Sequence, residues 1–131
     1  MVYHYVMKTI LIVDDSRIMR NIVKNHFSDL KMVCRYIEAS NGADALEQLV
    51  NNPVDLVLLD WNMPKLSGID FVKKVRGIKK YDDLPIIMVT SEAAKYNVIE
   101  ALKTGATDYI IKPINDKFFM EKVMAIFKQR R

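Results

Sequence analysis

An open α/β fold, with five parallel strands each followed by a helix and helices on both faces of the sheet, is predicted by three features of this sequence. Five short apolar runs alternate with five segments of helical periodicity, the pattern of a parallel sheet covered on both sides. Four of those runs end at a reactive polar residue: Asp14 and Asp15, then Asp60, Thr90 and Lys112. The chain has 131 residues, near the usual size of one domain. A closed eight-fold barrel typically needs about 250 residues, so length favours the open sheet.

Residues 8–13 read as the first strand, and Ser16 stands where an N-cap opens a helix carrying Met19, Ile22, Val23 and Phe27 on one face. The second strand, 33–39, alternates more than the others because Arg35 and Glu38 interrupt Tyr36 and Ile37, which places it at an edge. Asn41-Gly42 precedes a helix with Leu46, Leu49 and Val50, and Asn51-Asn52-Pro53 stops it. The third strand, 54–59, is apolar apart from Asp55, as expected of a central strand buried on both faces. Pro64 and Gly68 bracket a loop, and the helix after it carries Phe71, Val72 and Val75. Asp82-Asp83-Leu84-Pro85 turns the chain into the fourth strand, 86–89. A helix near 93–103 shows Val98, Ala101 and Leu102 on one side and stops at Gly105. The fifth strand, 108–111, leads to a last helix from about 116 to 129 with Phe119, Val123, Ile126 and Phe127.

Composition narrows the class of function. Half the residues are hydrophobic and 27% are charged, which is ordinary for a globular domain. No apolar stretch reaches the roughly 18 to 20 residues of a membrane span, and the N-terminus lacks a signal peptide's apolar core, so a cytoplasmic location without membrane attachment is expected. The single cysteine, Cys34, fits a reducing compartment and reads as a small buried hydrophobe. The net charge of +4 comes from dispersed basic residues with no aromatic interleaving, so nucleic acid is not an expected partner. Residues 1–7 read as a leader or frayed N-terminus, and His4 with its neighbouring tyrosines carries no identifiable chemistry.

The strand ends carry the chemistry. In an open α/β sheet the carboxyl ends of neighbouring strands share one crevice, where ligands bind. Three carboxylates gathered there repel one another and call for a cation; an oxygen-rich set without thiols suits Mg²⁺, with Mn²⁺ as the alternative. A carboxylate also serves as a nucleophile toward phosphorus. Asp60, ending the most buried strand, is the candidate, with Asp14 and Asp15 beside it to hold the metal. Lys112 would neutralise phosphoryl oxygens and Thr90 would donate a hydrogen bond to one of them.

At these residues the chain resembles the receiver domains of two-component response regulators, and among them the stand-alone CheY-like chemotaxis receivers. The resemblance covers Lys8 to Phe127 and rests on Val13-Asp14-Asp15-Ser16, Asp60-Trp61-Asn62-Met63-Pro64, Gly68, Val89-Thr90-Ser91, Tyr109 and Lys112-Pro113. It implies one receiver domain over 8–131, with a flavodoxin-like (βα)5 sheet in strand order 2-1-3-4-5. It also implies phosphorylation of Asp60 by a histidine kinase, with Mg²⁺ held by Asp15, Asp60 and the Asn62 backbone carbonyl, and Asp14 acting through water. Lys112 would bind the phosphoryl group and precede a cis bond to Pro113. Thr90 and Tyr109 would form the switch, the hydroxyl moving toward the phosphoryl group and the ring turning inward. Asn62 and Glu92 would tune self-dephosphorylation.

The same likeness implies an output face built from the fourth helix, fifth strand and fifth helix, where Lys95, Tyr109 and Lys122 grip a target such as the flagellar motor switch. Arg17, Arg20 and Lys24 on the first helix are candidates for the kinase contact. A phosphatase is a further implied partner, and the chain is expected to be a monomer. A second reading is a phosphorelay shuttle or kinase-feedback regulator that does not bind the motor. A third, a Mg²⁺-dependent phosphatase with an aspartyl nucleophile, is disfavoured because no cap domain is evident. It is also disfavoured because Asn62 stands where a general acid would be needed.

Overall fold

The computed structural model describes residues 7–91 and 95–129, with side chains described for 7–91 and 98–128. Five strands form one parallel sheet: β1 (Lys8–Val13), β2 (Cys34–Ala39), β3 (Leu56–Asp60), β4 (Ile86–Ser91) and β5 (Asp108–Lys112). Their order is β2-β1-β3-β4-β5, the expected topology, with β2 at an edge. Helices α1 (Arg17–Asp29), α2 (Gly42–Asn51), α3 (Gly68–Arg76), α4 (Lys95–Thr104) and α5 (Asp116–Gln129) follow the strands in turn.

Side-chain alternation divides the buried residues into two cores, one on each face of the sheet. Leu11, Val13, Val57, Leu59 and Met88 point to one face and pack against Ala45 and Leu49 of α2, Phe71, Val72 and Val75 of α3, and Ala101 of α4. Ile10, Ile12, Leu56, Leu58, Ile87 and Val89 point to the other, beneath Val23 and Phe27 of α1 and Phe119, Val123 and Ile126 of α5. The Phe27 and Phe119 rings meet edge to face, 4.9 Å between centroids, and join α1 to α5. Continuous apolar runs in β1, β3 and β4 are therefore read out as burial on both faces.

Caps follow the sequence signals. The side chains of Ser16, Asn41 and Ser67 accept from the backbone N–H of Met19, Asp44 and Asp70 at the starts of α1, α2 and α3. Gly105 ends α4 with φ +128°, a conformation open to glycine, and its N–H bonds to the carbonyls of Ala101 and Leu102.

Several expectations need correction. Ile22, Val50 and Leu102, placed on apolar helix faces, are 36%, 60% and 41% exposed, because each helix buries a narrower stripe than its apolar residues would fill. The third strand starts at Leu56, since Asp55 turns its carboxylate back to accept from the Thr9 N–H at 2.7 Å. Cys34 is half-buried rather than buried, because edge strand β2 is covered less completely; burial pushes its thiol up. Arg76, one of the dispersed basic residues expected to face solvent, is half-buried and donates to the carbonyls of Gly105 (2.8 Å) and Tyr81 (2.7 Å), tying the end of α3 to the loop before β5. Residues 1–6, with His4, lie outside the described residues. No helix among the described residues is long and apolar enough to cross a membrane.

Candidate functional site

The topology lines up the reactive strand ends. Asp14 follows β1 directly, Asp60 ends β3, Thr90 is the penultimate residue of β4, and Lys112 ends β5. These four strands are successive neighbours, so the residues fall along one carboxyl edge of the sheet, with Asp60 level with Val89 and Ser91 level with Lys112. Residues separated by nearly a hundred positions in the chain thereby share one cleft.

Asp14, Asp60 and Thr90 are buried, whereas Asp15 is exposed. Lys112 reaches back across β4: its Nζ lies 3.3 Å from Asp60 Oδ1 and 3.5 Å from Asp14 Oδ2. Burial pushes the Asp60 carboxyl above the ordinary carboxylate range, and the neighbouring Asp14 pushes the same way. Lys112 opposes both without cancelling them, and Asp15 adds a smaller upward push. The carboxylates of Asp14, Asp15 and Asp60 each offer an oxygen within 4.8 Å of the others. One lysine against three acids leaves uncompensated negative charge, and a purely oxygen donor set suits a hard divalent cation; Mg²⁺ fits these residues.

Asp14 has structural duties as well. Its Oδ1 accepts from the Ser16 N–H at 2.8 Å, the turn that starts α1, and its backbone carbonyl accepts from Arg20 at 2.6 Å. Arg20 also pairs with Glu38 at 3.0 Å, and Lys24 pairs with the same carboxylate at 3.1 Å. Two of the three basic residues considered for a kinase contact are thus engaged within the molecule, while Arg17 is exposed. Arg20 as a brace for the acidic turn was missed in the sequence. Its only local signal is a basic residue one turn into the helix after the acid pair, and its partner Glu38 arrives only through β2.

At the other end of the row, Tyr109 is half-buried and its ring lies 4.1 Å from Lys122 Nζ. Lys122 also pairs with Asp108 Oδ1 at 2.8 Å. These residues border a groove of about 370 Å³ whose lining includes Pro113 and the exposed Phe118. The Lys112–Pro113 peptide is cis. Asn62 is exposed in the loop after β3. Glu92 lies outside the described residues, as does the side chain of Lys95, whose backbone opens α4.

Gly68 positions the rim of the cleft. A Cβ there would stand 2.6 Å from the Asp60 carbonyl oxygen and 3.0 Å from that of Trp61, so only glycine lets α3 begin against the end of β3.

The chain is similar to known proteins over most of its length. The family model of the response regulator receiver domain matches residues 10–124. A chemotaxis protein CheY homolog of Campylobacter jejuni is 46% identical over 115 residues, 87% of this chain and 88% of its own length. The chemotaxis protein CheY of Pseudomonas aeruginosa is 40% identical over 120 residues, 92% of this chain and 96% of that protein. Among solved structures, the chemotaxis response regulator CheY4 of Vibrio cholerae superposes with a TM-score of 0.82 at 30% identity, covering 92% of this chain and 99% of the other. With the fold, the family match and this likeness over most of its length, the chain belongs to the response regulator receiver domain family.

Proposed function

We propose that this chain is a phosphorylation-controlled chemotaxis switch: a histidine kinase of the CheA kind charges Asp60, and the face formed by α4, β5 and α5 then binds the flagellar motor switch. The observation that carries the reading is the Lys112 ammonium set between the buried carboxylates of Asp60 and Asp14, 3.3 and 3.5 Å away. A structural ion pair needs one acid; this cation faces two, at the edge where an incoming anion would also find it.

In the proposed reaction, an Asp60 carboxylate oxygen attacks the phosphorus of the phosphohistidine. The bond from phosphorus to the imidazole nitrogen breaks, and an acyl phosphate remains on Asp60. Lys112 binds and neutralises the phosphoryl oxygens, and the Thr90 hydroxyl donates to one of them, the positioning and charge stabilisation on which phosphoryl transfer relies. Asp15, Asp60 and the Asn62 carbonyl would hold Mg²⁺, with Asp14 acting through water; the bound cation supplies charge neutralisation among the carboxylates and the phosphoryl group. Movement of Thr90 and inward rotation of Tyr109 transmit the charged state to the output face, where Lys95, Tyr109 and Lys122 contact the target. Asn62 and Glu92 beside the acyl phosphate set its lifetime. Moving such a switch from 1:99 to 99:1 takes about 5.5 kcal/mol of differential stabilisation.

The test uses the full chain with a radiolabelled phosphohistidine donor and Mg²⁺, followed by capture of a purified motor switch protein. Wild type should take up one phosphoryl group and bind the target better when charged. Asp60→Asn should take up none while keeping its circular dichroism spectrum. Labelling of Asp60→Asn at the native rate would overturn the phosphoacceptor assignment. Labelling of wild type without any gain in target binding would move the output to a phosphorelay.

A further inference from the structure

A second group of metal-ligating side chains sits outside the acidic cleft, where α1 meets α5. His26 lies in the last turn of α1, Asp29 is three residues further on the same helix face, and Asp116 is the first residue of α5. Each offers one ligand atom, and these atoms all lie within 4.8 Å of one another. His26 Nδ1 is 2.5 Å from Asp116 Oδ1. Yet that nitrogen is wholly buried and has no partner in hydrogen-bond geometry among the described residues. A buried ring nitrogen left in that condition asks for a cause.

We propose that His26, Asp29 and Asp116 form a transition-metal site, best suited to Zn²⁺, that clasps the end of α1 to the start of α5. The donor set differs in kind from the cleft. One imidazole nitrogen and two carboxylates suit a borderline ion, whereas the all-oxygen cleft suits Mg²⁺. Zinc takes such ligands at roughly 2.0–2.2 Å in a tetrahedron, and a water completes the fourth position.

The surroundings favour this geometry. The Phe119 ring packs tilted against the imidazole, 5.1 Å between centroids and 35° between planes, and restricts the ring from the core side. Asp29 and Asp116 are exposed, so an ion can enter from solvent and the carboxylates can rotate to meet it. The site lies at the C-terminal end of α1, where the helix dipole adds a favourable negative field for a cation. Binding joins two helices that otherwise meet here through Phe27 and Phe119, so it should stabilise the folded chain.

The test is a Zn²⁺ titration of the full chain by isothermal calorimetry in saturating Mg²⁺, with the histidine ring resonances followed by NMR. Wild type and Asp60→Asn should each bind one Zn²⁺ with displacement of the His26 resonances. His26→Gln and, independently, the exposed-site variant Asp116→Asn should weaken that event at least tenfold while retaining native melting without zinc. Zinc uptake unchanged in both variants, or lost in Asp60→Asn, would overturn the site. So would an unmoved His26 ring at saturating zinc, which would leave His26 and Asp116 as an ordinary ion pair.

Discussion

At the scale of single residues, Asp60 is held in a state that costs the fold stability. Its carboxyl titrates above the ordinary range, chiefly through burial and then through Asp14. The folded chain therefore keeps this proton to a higher pH than the unfolded chain does. As pH rises from the ordinary carboxylate range through the folded value, the unfolded state releases its proton first and stability falls, remaining lower above that window. Asp60→Asn removes the penalty. In melts with chelator and no Mg²⁺, the variant should exceed wild type by a few degrees at pH 7, and the gap should close as pH approaches 3. A gap independent of pH would show that the carboxylate carries no such cost. The identity of Asp60 as a site residue was legible from its place at the end of an apolar run. Its direct pairing with Lys112 was not, because 52 residues of chain separate the two.

At the scale of elements, the helices depend on close approaches that propensity alone would misjudge. Alanine is ordinarily the better helix former than glycine by about 1 kcal/mol. At Gly68, however, an added Cβ would meet the Asp60 carbonyl at 2.6 Å and Met88 Cε at 2.9 Å, and the first contact is with backbone that cannot step aside. Gly68→Ala should lower stability by about 1–3 kcal/mol, the range for overpacking, and should displace α3 from the cleft rim. Urea unfolding measures the first effect, and a midpoint equal to or above wild type would contradict it. The sequence marked Gly68 as the end of a loop and as part of the family motif, but not the backbone it presses against. Elsewhere the element boundaries agreed within two or three residues wherever a cap or a glycine stop was present, as at Ser16, Asn41 and Gly105. The third strand differs by a similar amount, two residues at its start, because Asp55 is spent on a neighbouring strand.

At the scale of the whole molecule, stability comes from two cores separated by one sheet, and β3 contributes to both. Leu58 is 1% exposed on the face shared with α1 and α5. Leu58→Ala should cost about 2–5 kcal/mol, the range for a buried leucine reduced to alanine, against a total near 5–15 kcal/mol for domains generally. Chemical denaturation should show this as a lower midpoint with little change in slope. A loss under 1 kcal/mol would mean that α1 and α5 collapse onto the gap, and that the second core is loosely packed.

Local pattern by itself determined the class of fold, the five-fold alternation and the row of polar strand ends, because strand and helix periodicities and terminal residues are properties of neighbours in the chain. The motif spacing added the family resemblance. Only the tertiary structure decided which charges oppose one another. Lys112 between two buried acids, Arg20 braced between the acidic turn and Glu38, Arg76 strapping α3 to the loop before β5, and His26 facing Asp116 all join residues from different elements. Such pairs are fixed by strand order and helix packing. Those depend on burying two apolar faces at once, a condition that no single stretch of sequence expresses.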